Sequence, residues 1–445
     1  MVSVRKVSRS LRSRRPGKTH LWNNANFIKL WAAESVTQMG SQVTLVALPL
    51  AAALVLDASA GQMGILTAAG TLPFLIFGLF AGVWVDRLRR RPIMIVSDVG
   101  RALVLLTVPI AWAFDALRIE LLYGVAFTAG LLQVFFDVAY VSFLPVVVDR
   151  DDLVDGNSKL EVSASTAQVA GPGLGGMLVG LITAPFAILL DAISFLVSAV
   201  FLARMQVDEP APERHGSAGV FREIGQGVGV VVKNPVLRAI LGAGGTVNLF
   251  GWMFLAVYIL YMIEELGFSS TQVGLVLSTG GVGAVVGASL AAPMKRRLGV
   301  GPTIIIGRSL FGVFGLLVPL AVLVPGAEVP LVVLAEFLQW LTLILATVNE
   351  ISLRQSIIPP RLLGRATATF RFVFSGIIPF GALVGGFLGD WIGLRETLVL
   401  SCFGMLFAGV WVYFSPLRTM LTIPEPPEDL NPDLPRRTEQ TPVVV

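Results

Sequence analysis

The chain has 445 residues, of which 55% are apolar and 14% charged, with a mean hydropathy of +0.78. An ordinary soluble domain is about a quarter charged, so a water-soluble globule of this composition would expose far too much apolar surface. The composition excludes one and points to lipid as the solvent, and the net charge of +4 informs only through its distribution. The lone Cys402 cannot form an intrachain disulfide, and His20 and His215 lie outside the apolar runs, which argues against a histidine metal centre.

Residues 1–24 form a basic segment carrying Arg5, Lys6, Arg9, Arg12, Arg14, Arg15 and Lys18. The apolar run after them is longer than a signal-peptide core and lacks a small-residue cleavage site, so it reads as the first span. Runs of spanning length recur at about 27–54, 61–85, 92–114, 119–148, 157–181 and 184–203. A second set follows at about 235–263, 272–293, 302–324, 329–353, 366–389 and 394–415. Each suffices to cross the bilayer, which takes about 20 apolar residues. The pattern predicts an all-α polytopic membrane protein of twelve spans. Its two six-helix bundles cover 25–204 and 235–417, joined by a cytoplasmic linker at 205–234 with one surface helix. The tail, 418–445, is rich in Pro and Glu and reads as disordered.

Of the 33 basic residues, 27 fall in the terminal segments and alternate connections on one side of these spans. The other side holds only Arg118 and Arg395, while Lys29, Arg101, Arg308 and Arg371 lie within spans. By the positive-inside rule both termini are cytoplasmic.

The halves repeat. Gln62-Met-Gly64 opens span 2 as Gln272-Val-Gly274 opens span 8, and Gly175-Gly176 of span 5 matches Gly385-Gly386 of span 11, both at an offset of 210. Gly100-Arg101-Ala-Leu103 of span 3 matches Gly307-Arg308-Ser-Leu310 of span 9 at 207. Three matches in order at nearly one offset indicate two bundles of the same orientation.

Between spans 2 and 3 stands Gly82-Val-Trp-Val-Asp86-Arg87-Leu-Arg89-Arg90-Arg91, a glycine for close helix approach followed by a charged cytoplasmic turn. It resembles the signature loop of the major facilitator superfamily, Gly-x-x-x-Asp-Arg-x-Gly-Arg-Arg, departing at Arg89. That resemblance implies that Asp86 latches onto the cytoplasmic end of span 11 in the outward-open state. The second half puts Ala291 where the Asp would be and keeps Lys295, Arg296 and Arg297, so the two latches are expected to be unequal. Gly171-Pro172-Gly173-Leu174-Gly175-Gly176 resembles the span 5 motif of drug/proton antiporters in the superfamily, with Ala167 in place of an earlier glycine. The alternative is helix packing with no bearing on transport direction. Asp152–Asn157 and Asp191–Ala199 look like a bacterial efflux branch containing macrolide and siderophore exporters. The Arg-x-x-Gln-Gly that many drug/proton antiporters carry in span 4 is replaced by Gly130-Leu-Leu-Gln133-Val134.

A charge near the bilayer centre costs at least about 2.5 kcal/mol and so needs a partner, water or a function. Asp137 lies roughly eleven residues from the cytoplasmic end of span 4, about 16 Å deep, and Arg101 roughly nine residues into span 3, about 13 Å deep. If they meet, they form either a structural ion pair or a pair whose changing separation loads and releases a proton. Asp98, one turn before Arg101, competes for the arginine. Glu34, Asp191, Glu336 and Arg371 are further coupling candidates.

Polar stripes run along span 1 (Glu34, Gln38, Ser41, Gln42), span 4 (Gln133, Asp137, Tyr140), span 7 (Asn248, Trp252) and span 10 (Glu336, Gln339, Thr347, Glu350, Arg354). Family resemblance implies that these four spans line a central cavity. The substrate-cavity candidates are Gln38, Gln42, Gln133, Phe136, Tyr140, Asn248, Trp252 and Gln339. Phe135, Phe136, Trp252, Tyr258 and Trp340 could supply an apolar wall, each with core packing or lipid contact as the alternative.

No ATP chemistry is visible: Gly17-Lys18-Thr19 resembles the end of a phosphate loop, but Arg12 occupies the earlier glycine position. The chain thus reads as a secondary transporter of a bacterial inner membrane, not an enzyme, exporting an amphipathic organic compound by alternating access with protons as the coupling ion. No cofactor, metal or nucleic acid is expected, only membrane lipid around a monomer. The alternatives are an uptake transporter or a non-transporting membrane protein on the same fold.

Overall fold

The computed structural model describes residues 21–85, 87–149, 152–207, 209 and 220–422. The expectations for the basic segment 1–20, for Asp86 and for the tail beyond 422 lie outside them. The first half consists of α1 (Ala25–Val55), α2 (Ala60–Val85), α3 (Arg90–Ala113), α4 (Ile119–Val147), α5 (Leu153–Ile182) and α6 (Ala184–Ala203). After a linker helix, α7 (Val220–Lys233), the second half holds α8 (Pro235–Glu264), α9 (Ser270–Leu298), α10 (Val300–Gly315), the one-turn α11 (Leu317–Leu320), α12 (Glu328–Ile357), α13 (Pro360–Ile392) and α14 (Leu394–Tyr413). Spans 7 to 12 are therefore α8, α9, α10 with α11, α12, α13 and α14.

Eleven of these segments are long and apolar enough to cross a membrane. α5 falls outside that set because the uncharged stretch 162–182 is rich in Ser, Thr, Gly and Pro with Gln168, which lowers its hydropathy. It nevertheless packs against α1 and α9 as its counterpart α13 packs against α8 and α2, which completes twelve.

The loops near Arg87–Arg91, Lys295–Arg297 and Arg361 share one end of the bundle, called here the basic face; the turns at 56–59, 114–118, 265–269 and 324–327 lie at the opposite face. Helices run further toward the basic face than the apolar runs predict: α13 starts at Pro360 rather than near 366 and α9 ends at Leu298 rather than near 293. Hydropathy marks only the part in hydrocarbon, whereas the backbone stays helical beyond it. Span 9 is broken, because Pro319 has no N–H to continue the ladder and the chain tightens to a 3₁₀ turn at Ala321–Leu323. Residues after 418 do not all behave as a loose tail: Leu421 and Met420 carbonyls accept from Val300 (3.2 Å) and Gly301 (2.9 Å). The linker helix α7 docks on α13, with Arg365 donating to Gln226 (2.5 Å).

The cores reveal the shape. One large apolar cluster joins both halves toward the opposite face, including Val46, Leu50, Ile188, Val257, Val276 and Leu398. Toward the basic face the cores are separate, one around Leu30, Met94 and Phe143, the other around Ile240, Ile304 and Phe370. The halves are joined at one end and splayed at the other.

The α5–α6 corner holds Thr183 at φ 76°, where the symmetry-related α13–α14 corner has Gly393 at φ 103°. A β-branched residue is strained there by about 1 kcal/mol or more. Thr183→Gly is expected to raise the melting temperature of the detergent-solubilised protein.

Candidate transport cleft

Two glycine crossings hold the halves together. A Cβ on Gly176 would lie 2.7 Å from the Gly274 Cα, and one on Gly274 would lie 2.6 Å from the Pro172 carbonyl. The mirrored pair is Gly64 and Gly386, each with its built Cβ 2.8 Å from the other's Cα. No other residue permits such backbone approach, the usual route to tight packing where lipid offers no hydrophobic drive. The repeat read in the sequence thus falls on the two crossings between the halves. The span 5 motif has a second face: Gly171 and Gly175 receive Gln42 and Val43 of α1, while Gly173 and Gly176 receive α9.

Away from the crossings the helices part. Gly376 of α13 still meets Leu75 of α2 at 3.0 Å, but Gly82 and Gly364, nearer the basic face, have nothing within 4 Å. The expected role of Gly82 in close packing is therefore not realised in this conformation. Between α5 and α9 a cavity of about 890 Å³ opens, lined by Asn157, Glu161, Ser165, Thr166 and Val169 with Val285 opposite.

The first half also holds a polar chain. Ser198 donates to Asp98 (2.6 Å), and Asp98 pairs with Arg101 (2.5 Å). Arg101 also donates to Gln133, whose amide donates to Asp137 (2.5 Å) one helical turn on. The guanidinium sits between the rings of Phe136 (4.5 Å) and Phe195 (4.1 Å), a cation–π sandwich that offsets its burial. Arg101 and Asp137 do not meet directly, since Asp98 takes the arginine and Gln133 bridges to the second carboxylate. Arg371 on α13, of the other half, is exposed. Glu34 is only 7% exposed; one oxygen accepts from Gln38 (2.7 Å) and the other has no hydrogen-bond partner.

Several expected cleft residues lie elsewhere. Phe136 is buried beneath the Arg101 guanidinium, and its ring stacks on Tyr140 at 6.2 Å. Gln339 is buried against Phe311 and Gly315 of α10, so it packs the second half rather than lining the cleft. Asp191 accepts from Ser194 (3.0 Å) and packs on Gly40, placing it in the α1–α6 interface. Glu336 is enclosed in the second half, where it accepts from Tyr258 (3.0 Å) and Trp340 (2.8 Å), which also removes Tyr258 from any cleft wall. Gln38, Gln133, Tyr140, Asn248 and Trp252 are half-buried, and Phe135 stacks on Trp84 at 5.9 Å. Gln42 lies between α1 and α5.

Arg308 finds a partner that spacing did not show. It binds Glu350 through two parallel bonds of 2.8 and 2.5 Å, both side chains buried. Glu350→Ala would leave an uncompensated buried cation and is expected to cost about 3–5 kcal/mol, whereas the double change Arg308→Met with Glu350→Leu costs far less. Apparent melting temperatures of the three proteins check this.

At the basic face the signature-loop arginines serve the first half. Glu209 accepts from the backbone N–H of Arg90 (2.5 Å) and Arg91 (3.3 Å), and the Arg91 side chain caps the end of α6 at the Leu202 (2.8 Å) and Ala203 (2.5 Å) carbonyls. Arg87 is exposed, and Asp86 lies outside the described residues. Lys29, within span 1, donates to the Arg204 carbonyl (2.8 Å).

Two like-oriented six-helix halves, crossed on glycines at one face and parted around charged residues at the other, define a membrane transporter of the major facilitator superfamily. The chain belongs to the transmembrane secretion effector family within it, whose model matches residues 21–444. The multidrug efflux pump Tap of Mycolicibacterium fortuitum is 29% identical over 393 residues, covering 85% of this chain and 92% of the relative. Macrolide efflux protein A of Streptococcus pyogenes is 22% identical, covering 84% and 92%. Among solved structures, a bacterial homologue of the iron transporter ferroportin in its inward-facing state shares the fold, with a TM-score of 0.72 and 16% identity over 87% of this chain and 97% of that one.

Proposed function

We propose that the protein is a proton-coupled exporter of an amphipathic organic compound in a bacterial cytoplasmic membrane. The asymmetry of basic residues turns the basic face to the cytoplasm, so the splayed conformation is inward-open. The relatives named for multidrug and macrolide efflux support the outward direction and the substrate class.

One observation carries the coupling: Asp137 is a half-buried carboxylate inside the bundle, tied through Gln133 to Arg101, which Asp98 holds in place. Rocking of one half against the other closes the basic face over Asp137 and reopens it to water, without disturbing the Arg101 side. The proton affinity of Asp137 then differs between the two states. A proton taken up from the outer side with the cleft outward-open is released to the cytoplasm once the cleft turns inward. Substrate moves the other way, held by Gln38, Tyr140, Asn248 and Trp252. Glu34, buried with a free oxygen, is the neighbouring carboxylate through which the proton exchanges with Asp137.

A deletion strain is expected to accumulate an amphipathic antibiotic-like compound several-fold and to become sensitive to it, with restoration by the plasmid-borne gene. Unchanged susceptibility across a broad panel, together with demonstrated uptake of a nutrient by the purified protein, would overturn the direction.

A further inference from the structure

Asp390, near the C-terminal end of α13, reaches across the seam between the halves to the start of α2. Its Oδ2 accepts from the backbone N–H of Gly61 (3.0 Å) and from the Ser59 hydroxyl (3.1 Å). These donors belong to the first turn of α2, where N–H groups lack helical partners and the dipole favours an anion. A side chain on Gly61 would collide with the Asp390 carboxylate, and the Gly64–Gly386 crossing lies one turn further in. The second seam has no counterpart. The repeat places Gly180 of α5 at the equivalent position, against the hydroxyls of Ser270 and Thr271. Ser269 and Gln272 cap the start of α9 as Ser59 and Gln62 cap that of α2, so the carboxylate from the other half is what sets the first seam apart.

We infer that Asp390 is a positioning residue of the transport cycle: the clasp that holds the opposite face shut and sets how often the inward-open state is left. It rests on the alternating-access reading above. When the halves rock, the start of α2 and the end of α13 separate, and Asp390 exchanges both donors for water. The resemblance of the signature loop implies the converse for the outward-open state, a carboxylate at the far end of α2 on the start of α13. One helix pair would then carry a clasp at each end, while α5 and α9 slide on glycines alone.

The test uses the full-length protein in liposomes with Cys402 replaced by alanine. Spin labels at Asp115 and Leu323 report the separation of the halves at the opposite face, and labels at Leu88 and Arg361 report it at the basic face. Asp390→Asn and Gly61→Ala, which attack the clasp from its two sides, are each expected to raise the population with the long opposite-face distance over that with the short one about tenfold. The basic-face distance shortens in step. Gly386→Leu, which spoils the crossing but not the carboxylate, serves as the reference for opening. If it opens the opposite face while Asp390→Asn and Gly61→Ala leave both distances as in the wild type, the clasp is wrong and alternating access stands. If none of the three changes either distance, no second state exists and both readings fall.

Discussion

Asp137→Asn is expected to abolish substrate transport driven by a pH gradient in proteoliposomes, while substrate binding and substrate–substrate exchange survive. An asparagine of nearly the same shape can still accept the Gln133 amide that now meets Asp137 at 2.5 Å, so the packing of α4 has no reason to change. What it loses is the negative charge and the ability to take and release a proton. Loss of transport and exchange together would mark Asp137 as a structural member of the Asp98–Arg101–Gln133 chain. Normal gradient-driven transport in the variant would remove it from the coupling altogether.

The second large effect is expected at the glycine crossings. A leucine at Gly176 must push against the Gly274 Cα and the Ser270 carbonyl, backbone atoms that no rotamer can avoid. Overpacking of this kind costs about 1–3 kcal/mol, and here it falls on one conformation, the one with the opposite face closed. Gly176→Leu should therefore hold the halves apart at that face and stop turnover, with the protein still folded and membrane-inserted. Gly82→Leu and Gly364→Leu, whose side chains enter open space in the inward-open state, should leave the melting temperature unchanged. Full transport activity in Gly176→Leu would show that the crossing is not the gate.

Much of this architecture is legible in the sequence because lipid imposes it. Spans and the two-fold repeat follow from runs of apolar residues and from glycines at a fixed offset of 210. Gly64, Gly176, Gly274 and Gly386 are visible as a repeat but not as contacts, since no spacing says that Gly64 meets Gly386 of the other half. The same limit applies to charges. Arg101 and Asp137 have matching depths, yet depth leaves rotation about the helix axis open, and rotation gives Arg101 to Asp98 and puts Gln133 between. Gln339 and Phe136 fail as cleft residues for that reason: each belongs to a polar or aromatic stripe whose edge turns into its own bundle. Arg308 and Glu350 lie 42 residues apart on different helices and become partners only when α10 docks on α12. Asp390 escaped notice because it sits at a helix end, where a charge needs no explanation until its neighbour across the seam is known.

The most direct measurement of the central claim is thiol accessibility from each side of the membrane in a Cys402→Ala protein. Thr166 is exposed in the α5–α9 cavity, whereas Ser278 of α9 is pressed against Gly173, whose built Cβ would lie 2.7 Å from its hydroxyl. The account predicts that Thr166→Cys reacts with an impermeant maleimide only from the cytoplasmic side at rest. Under turnover its rate should fall as that of Ser278→Cys rises from the outer side. Labelling of Thr166→Cys from the outer side at rest, or rates at both positions that ignore turnover, would contradict it.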